Sequence, residues 1–429
     1  MIDDSDLELT LDVLARVREL PVDDPARVRV QRAVDGLLKD AQRTRRAERR
    51  RASATAGRSV VASTGLGATD RIEDLAGHAE PAHPKRPRAL DRDRRCYVCK
   101  SPYRQVHAFY HWLCAACATD NHARRTAGTD LTGRRALVTG GRVKIGFHVA
   151  RMLLRDGAEV TVTTRFPADA AARFAADPET AKHLGRLTVT EIDLRSPQQV
   201  LDLTQRLLDD GRSLDILVNN AAQTVRRPQW SYAPLVAGER AEKEITAGQA
   251  PGQLPVRAVD ASGFLPDPAT ANSWTARVGA VDPVEVLEVQ LVNVVAPYLL
   301  IDRLLPLLLG SEHERRYVVN VSAVEGWFAA RYKSGAHPHT NMAKAALNMF
   351  TRTSAAELAS QGVFVSSVDT GWITDEKPMP AKAAAAATGW RPPLDVIDGA
   401  ARIYHPIVSG EAGEPPFGVL LKDYRVVDW

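Results

Sequence analysis

The chain has few of the features that mark a secreted or membrane protein. Only four of its 429 residues are cysteine, and all lie between Cys96 and Cys117, so no disulfide framework extends over the rest. The first ten residues are acidic and lack the apolar core of a secretory signal. We find no hydrophobic run near the length of a bilayer span. These absences predict a cytoplasmic protein without a membrane segment.

Charge is ordinary in amount but uneven in distribution. Charged residues make up 25% of the chain and hydrophobic residues 45%, which is typical of a globular protein with a sizeable core. The net charge is +4, and its excess lies in the first 130 residues, where six arginines occupy the stretch 43–51. No aromatic residue interleaves with them, so a solvated helix end is favoured over a nucleic-acid contact.

The apolar pattern divides the chain into four parts. Residues 1–58 carry leucines and valines at helical spacing and are predicted to be a helical N-terminal segment. Residues 59–90 are rich in small residues and proline and are predicted to be a loosely packed linker. A four-cysteine module follows at 91–126, and residues 130–429 are predicted to be one larger domain.

Short apolar strands alternate with helices in this larger domain. The strands are expected at about 135–140, 158–164, 186–194, 214–222, 316–323 and 363–371, and the helices at about 147–157, 196–211, 283–309 and 341–360. This alternation predicts the α/β class, a doubly wound parallel sheet of Rossmann type. An insert at about 224–282 offers Arg226, Arg227, Trp230, Tyr232 and Trp274 as an ordered lid or substrate wall, or else a surface loop.

The four cysteines form two C-x2-C pairs, which are Cys96 with Cys99 and Cys114 with Cys117. Four soft thiolates at this spacing are typical of tetrahedral Zn²⁺. They would fill the coordination sphere, so the zinc would be structural and not catalytic. Redox dithiols or buried thiols are the alternative.

A glycine-rich turn at residues 139–146 joins the first strand of the large domain to the next helix. Glycines let the backbone approach a pyrophosphate, and the helix N-terminus directs its N–H groups at the phosphates. The residues of this turn that we expect to contact a dinucleotide are Gly140, Arg142, Lys144, Ile145 and Gly146.

The second strand ends in Thr163-Thr164-Arg165. NAD-binding domains usually place an acidic residue here for the ribose hydroxyls. Arg165 without a neighbouring acid favours a 2′-phosphate, because guanidinium pairs well with phosphate. We therefore predict NADP(H) over NAD(H), with Thr164 and Arg165 at the adenosine end. The alternative is that Arg165 merely ends the strand in solvent.

With these motifs in this order, residues 131–429 resemble the short-chain dehydrogenase/reductase family. Gly140 and Gly146 match its T-G-x3-G-x-G turn, with Lys144 in place of the middle glycine. The resemblance implies further contacts: Asp193 and its neighbour Leu194 at the adenine, Asn219 and Ala221 along the cofactor cleft, Asn293 in the active site, and Thr374 at the nicotinamide end. Family members often pair through the two long helices, which implies a homo-oligomer.

The catalytic residues of the family are matched only in part. Its Y-x3-K motif corresponds to Thr340 and Lys344, so the lysine that grips the ribose is present and the phenol is replaced by a much weaker acid. The usual serine position is Ala323. Ser322 lies one residue earlier and is either a substrate contact or an ordinary hydroxyl at a strand end.

The segment between Glu325 and His339 offers replacement proton donors. Tyr332 has a phenol, and His339 has a suitable unperturbed pKa; Lys333 and His337 are also present. Our preferred hypothesis is that one of these residues works with Lys344, although each alone is as readily a loop residue.

These observations predict an NADP(H)-dependent oxidoreductase acting on a carbonyl or alcohol, with a modified catalytic tetrad. The alternative is a non-catalytic NADP(H)-binding regulator or scaffold, whose zinc module and basic helix engage a protein partner through residues 1–130. A nucleic-acid binder would show steeply salt-dependent binding and is the least favoured class.

Overall fold

The computed structural model describes residues 3–77, 89–246 and 259–429. Parts of the predicted linker and insert, at 78–88 and 247–258, lie outside the described residues. The N-terminal third of the chain contains α1 (Asp4–Glu19) and α2 (Pro25–Ala62), then the hairpin β1 (Ala89–Arg95) and β2 (Pro102–Gln105), and α3 (Ala115–Arg124). The two predicted N-terminal helices are thus present. Only Val60 and Val61 of α2 are buried.

The large domain is built on an eight-stranded sheet. Its strands are β3 (Arg135–Thr139), β4 (Glu159–Thr164), β5 (Leu187–Glu191), β6 (Ile216–Asn219), β7 (Arg316–Ser322), β8 (Val363–Asp369), β9 (Leu420–Lys422) and β10 (Arg425–Val427). Their order is β5-β4-β3-β6-β7-β8-β9-β10, with every neighbouring pair parallel except β9 and β10. The predicted doubly wound sheet is therefore confirmed.

Helices cover both faces of this sheet. The helices of the large domain are α4 (Lys144–Arg155), α5 (Pro167–Ala176), α6 (Pro197–Asp210), α7 (Ala233–Thr246), α8 (Pro283–Gln290), α9 (Ala296–Leu309), α10 (Pro338–Ser360), α11 (Met379–Ala387) and α12 (Val396–Glu411). In β3, Val138 packs in the core with α4 and α12, whereas Leu137 packs in the core with α6 and α9. Both faces are buried, which explains why the strand is a continuous apolar run.

The helices α8 and α9 and the π-helical turn between them form one continuous helical stretch, Pro283–Leu309. By length and composition alone, this stretch could cross a membrane. The sequence predicts a helix over these residues, but the prediction that no hydrophobic run approaches the length of a bilayer span is wrong for this stretch. Leu300, Leu304 and Leu308 on it are fully buried in the core beneath the sheet, so packing against the sheet accounts for these three leucines.

The segment after α2 is packed, which differs from the loose linker that we predicted. Leu66 is fully buried within the core of the four-cysteine module. Arg71 is also buried, and it donates to the carbonyl oxygens of Leu66, Pro392 and Leu394 at 2.9, 3.2 and 2.9 Å. Isolated anchors of this kind produce no periodic signal, so composition alone suggested a linker.

Candidate dinucleotide and catalytic site

The strand order reverses at β3 and β6, and the glycine-rich turn lies at their carboxyl ends, where doubly wound sheets bind ligands. Gly140 has φ +68°, and its N–H donates to the Thr163 carbonyl at 3.0 Å. A Cβ on Gly146 would lie 2.3 Å from the Gly140 oxygen and 2.5 Å from Nδ2 of Asn220. Only glycine fits there, so the close backbone approach that phosphate binding needs is built into the turn.

Lys144 begins α4 with φ +54°, a left-handed conformation that explains why the family places glycine at this position. Its Nζ lies 3.0 Å from Oδ2 of Asp74. Burial opposes the charged form of this lysine, but the carboxylates of Glu376 and Asp74 raise its pKa. The cation beside the turn is therefore held by acids, one of which comes from the segment before the large domain.

Arg142 has a different position from the one predicted. It is buried, and its Nη1 donates to Oδ2 of Asp169 at 2.5 Å and to the Ser262 carbonyl at 2.7 Å. Its guanidinium lies over the rings of Phe166 and Phe264. Arg142 thus fastens the insert to α5, and these contacts occupy the group that we expected at the phosphates.

Arg165 lies at the end of β4, with its guanidinium 4.7 Å from the ring centroid of Tyr232 and 5.4 Å from that of Phe166. Among the described residues no carboxylate forms an ion pair with it. Thr164 is buried, and its Oγ1 accepts from the Phe166 N–H at 3.1 Å. The carboxylate of Glu239, from α7 of the insert, caps the N-terminus of α5. It accepts from two backbone N–H groups of α5 at 3.0 and 3.2 Å. The insert therefore borders the adenosine end, with Arg165 available to an anion.

The residues predicted at the adenine lie beside β5. Both carboxylate oxygens of Asp193 accept from Nε of Arg195 at 3.0 Å, and Leu194 is buried in the core. Burial raises the pKa of Asp193, but the hydrogen bonds from Arg195 outweigh it, and the net pKa is lowered. Just beyond the end of β6, the Ala221 N–H donates to Oγ1 of Thr139 at 3.0 Å, which places Ala221 along the crevice.

Two asparagines connect neighbouring elements at the crevice. Asn219 donates from Nδ2 to Oδ1 of Asn320 at 2.9 Å, while its own Oδ1 has no partner among the described residues. Asn293 lies in a π-helical turn, Leu291–Val295, a feature frequent at functional sites. Its amide bonds both backbone groups of Gln223, at 2.8 and 3.0 Å, so it holds the start of the insert.

Lys344, Thr340 and Ser322 converge at the carboxyl end of β7. Lys344 is buried and donates from Nζ to the carbonyl of Val321, the residue before Ser322, at 2.7 Å. Thr340 lies one turn earlier on the same face of α10. Burial lowers the pKa of Lys344 to about 8. The hydroxyls of Thr340 and Ser322 are buried and lack partners among the described residues, as expected for groups that meet a ligand or water.

The replacement proton donors are in different environments. Tyr332 is 82% exposed, so the structure places its phenol in solvent and not in the crevice. His339 is buried next to Thr340, and neither ring nitrogen has a partner within the described part of the chain. Burial lowers its pKa. Lys333 donates to the Glu325 carbonyl at 2.6 Å, and His337 stacks on Trp274 with centroids 4.0 Å apart.

Glu325 is a candidate that the sequence analysis did not name. It lies in the turn after β7, and its side chain is 15% exposed, with Oε1 3.7 Å from Nε2 of His337. Burial raises the pKa of this carboxyl group. Its sequence position could have indicated it, because an acidic residue just beyond the carboxyl end of a central strand lies where ligands bind.

The other insert residues are ordered. Arg226 pairs with Asp282 at 3.2 Å and with Glu288 at 3.4 Å, and the guanidinium of Arg227 lies 4.6 Å from the ring centroid of Phe264. Trp230 is half-exposed. The insert is thus packed against the large domain in its described part.

The four cysteines are brought together. Cys96 and Cys99 follow β1, and Cys114 and Cys117 lie at the start of α3. Their sulfur atoms all lie within 4.8 Å of one another, and those of Cys99 and Cys114 are 3.6 Å apart. Four convergent thiol groups are the donor set that tetrahedral zinc prefers, so these residues fit the predicted metal.

Comparison with known proteins agrees with the fold and motifs. The family model for short chain dehydrogenase matches residues 134–234 and 268–385, and the gap between these stretches falls within the insert. The chain therefore belongs to the short-chain dehydrogenase family, as the motifs predicted. An uncharacterised protein of Acanthamoeba polyphaga mimivirus is 33% identical over 339 residues, covering 73% of this chain and 71% of that protein.

Two further similar proteins have a named function or a bound ligand. L-xylo-3-hexulose reductase of Hypocrea jecorina is 30% identical over 271 residues, covering 62% of this chain and 74% of that reductase. A short chain dehydrogenase from Burkholderia cenocepacia, solved in complex with NADP, is 23% identical with a TM-score of 0.48, covering 68% of this chain and 96% of that one.

Proposed function

We propose that the protein is an NADP(H)-dependent oxidoreductase that interconverts a carbonyl and an alcohol. The observation that carries this proposal is a group of buried polar atoms, without partners among the described residues, at the carboxyl ends of β6 and β7 and in the first turn of α10. These atoms are Oγ of Ser322, Oγ1 of Thr340, Oδ1 of Asn219 and the ring nitrogens of His339. Leaving such atoms unpaired costs about 1–3 kcal/mol each, so their number at one crevice supports a polar ligand there.

NADP(H) is favoured over NAD(H) because of the end of β4. Arg165 forms no ion pair among the described residues and stands where NAD-binding domains place an acid. A 2′-phosphate would give its guanidinium a charged partner. When bound, NADPH supplies the hydride that reduces the carbonyl carbon.

The protein must then deliver a proton to the substrate oxygen. Thr340 is too weak an acid to replace the family's phenol, but its hydroxyl and that of Ser322 can hold the oxygen by hydrogen bonds. We assign the proton to the His339 imidazole, because it is buried beside Thr340 with unpaired ring nitrogens. Lys344 positions the ribose. Glu325, near His337, is the second candidate for the proton donor.

The test combines binding with turnover. Purified protein is titrated with NADPH and NADH by calorimetry, and NADPH oxidation is followed against a panel of aldehydes and ketones. Thr340→Val should lower turnover about tenfold or more if its hydroxyl holds the substrate oxygen. Thr353→Val, on the exposed face of the same helix, should leave it unchanged. Absence of binding of either nucleotide to the wild type would refute the proposal.

A non-catalytic regulator is the second candidate function, favoured by the threonine at position 340. It predicts NADPH binding without oxidation by any carbonyl compound, together with capture of a protein partner by residues 1–130. A Tyr substitution at Thr340 that created turnover in an otherwise inactive protein would support this alternative.

We also propose that the cysteines hold one structural zinc ion and that the protein forms a homo-oligomer through α8, α9 and α10. Large apolar side chains are exposed on these helices at Leu287, Tyr298, Met342 and Met349. Metal analysis should give one zinc per chain, and light scattering should give a multiple of the chain mass. The cytoplasmic location stays a prediction.

A further inference from the structure

The four-cysteine module touches the loop that follows β8. The backbone N–H of Trp372 donates to the hydroxyl oxygen of Tyr97 at 2.9 Å. Tyr97 directly follows Cys96 and lies two residues before Cys99. The Tyr97 side chain thus connects the loop between Cys96 and Cys99 to the large domain.

The contacted loop, residues 370–376, borders the dinucleotide crevice. Oδ1 of Asp369 accepts from the Gly371 N–H at 2.7 Å, and Lys422 Nζ holds the other carboxylate oxygen at 2.6 Å. At its far end, Oγ1 of Thr374 donates to Glu376 at 3.0 Å. The Glu376 carboxylate interacts electrostatically with Lys144 of the phosphate turn. The loop is therefore fixed at its start by β8, and its far end interacts with the turn that would hold the phosphates.

The position of Tyr97 depends on the cysteine loop. Its N–H donates to the Trp112 carbonyl at 2.8 Å, and the Cys96 N–H donates to the Ser101 carbonyl at 2.9 Å. A metal ion bound by the four sulfurs would close the same loop. Without the metal, the loop would keep these backbone bonds and the packing of the Tyr97 ring on the core of the module, but it would lose the closure that the four sulfurs provide.

The module as a whole is docked by a buried ionic cluster. Nη1 of Arg125, just after α3, lies 2.6 Å from Asp395 and 2.9 Å from Asp398. The Tyr110 hydroxyl donates to Asp398 at 2.6 Å. These contacts keep the module in register with α12, so a change in the cysteine loop is not absorbed by movement of the whole module.

We infer that the four-cysteine module is a positioning element for the dinucleotide site. The metal-bound cysteine loop fixes Tyr97, and Tyr97 fixes the loop 370–376 at the nicotinamide side of the crevice. This inference rests on the proposed NADP(H) function. Metal and dinucleotide are then thermodynamically coupled, and linkage requires each to raise the affinity for the other by the same factor.

The experiment measures both affinities in the full-length protein. NADPH affinity is measured by nucleotide fluorescence with and without zinc, and zinc affinity by chelator competition with and without NADPH. We expect each partner to strengthen the other by about tenfold. Tyr97→Phe removes the hydroxyl, so it should retain one zinc but weaken NADPH binding and raise the KM for NADPH more than it lowers kcat.

Tyr103→Phe is the matched control, because Tyr103 lies in the same module and donates instead to the His111 carbonyl at 2.8 Å. It should leave NADPH binding unchanged. Wild-type protein that binds zinc and NADPH independently would overturn the inference and leave the oxidoreductase proposal intact. Wild-type protein that binds no NADPH would overturn both. If the zinc-free protein does not fold, the zinc-loaded Tyr97→Phe variant decides: NADPH affinity equal to wild type rejects the role of Tyr97.

Discussion

The ammonium group of Lys144 forms an ion pair with the carboxylate of Asp74 at 3.0 Å, which joins the phosphate turn to the segment that precedes the four-cysteine module. Both residues have positive φ, +54° and +72°. A non-glycine residue in this conformation costs about 1–2 kcal/mol. Both residues of the ion pair therefore have a strained backbone, and Lys144 stands where the family has glycine.

Asp74 competes with phosphate for this lysine. Asp74→Asn removes the competing charge, and asparagine tolerates the left-handed conformation. We expect NADPH to bind about two- to fivefold more tightly at low salt, as removal of one partly exposed ion pair allows. Glu73→Gln is the control, because Glu73 pairs with Lys382 at 3.4 Å. Weaker NADPH binding by Asp74→Asn would mean that Asp74 supports the site.

Arg165 should determine the choice of nucleotide. Arg165→Ala removes the guanidinium at the end of β4, so NADPH should bind about tenfold more weakly while NADH binding is unchanged. Arg227→Ala, which removes a guanidinium that contacts Phe264 in the insert, should not change the ratio of the two affinities. Parallel titrations with both nucleotides make this comparison. An equal loss for both would exclude recognition of the 2′-phosphate by Arg165.

The fold was predictable from sequence because its signals are local. The six longer strands and their helices carry apolar runs and glycines within a few residues of one another. By contrast, β9 and β10 have three residues each, too few for a periodic pattern. The four-cysteine cluster was likewise encoded by short spacing.

The side-chain partners of the site were not predictable, because they join residues that are distant in sequence. Nothing near Arg142 indicates that the insert would bury it against Asp169 and Ser262. The same holds for Tyr97 and Trp372. Tyr332 was proposed as a proton donor because it has a phenol. The path of its loop, which the sequence does not indicate, leaves this side chain exposed.

The pH profile should identify the proton donor. Burial lowers the pKa of His339 below 6.5, so carbonyl reduction, which needs the protonated ring, should slow as the pH rises through that lowered value. His339→Asn should remove this limb and lower kcat by about 100-fold. Steady-state rates from pH 5 to 9 make the measurement. If Glu325→Gln removes the limb instead, the carboxyl group is the donor.

Lys344 should make stability depend on pH. Its pKa is about 8 in the folded protein, against an ordinary 10.5. The unfolded chain therefore holds more protons between these values, and the free energy of unfolding should rise as the pH increases from 8 towards 10. The full effect is on the order of 3 kcal/mol. Urea unfolding of the wild type and of Lys344→Met at several pH values measures it, and the rise should be smaller in the variant.

The ion pair between Arg125 and Asp395 should be the main electrostatic link between the four-cysteine module and the large domain. Arg125→Met leaves Asp395 and Asp398 buried without their cation, which should cost about 3–5 kcal/mol of unfolding free energy. Arg104→Met, which breaks an exposed pair with Asp93, should leave the free energy of unfolding nearly unchanged. Urea unfolding at constant zinc concentration compares the two variants.

The same pair gives a pH signature of the same sign as that of Lys344, because both pKa values are lowered in the folded protein, but it falls in the acid range. Burial opposes ionisation of Asp395, but Arg125 outweighs it and lowers the pKa to about 2, from an ordinary 3.8. Its contribution to stability is complete above pH 3.8 and is lost as the pH falls towards 2, and the neighbouring Asp398, whose pKa is raised by burial and by Asp395, offsets part of this loss. Arg125→Met should lack this acid-induced loss. If wild type and variant lose stability equally in acid, the pair does not hold the module in place.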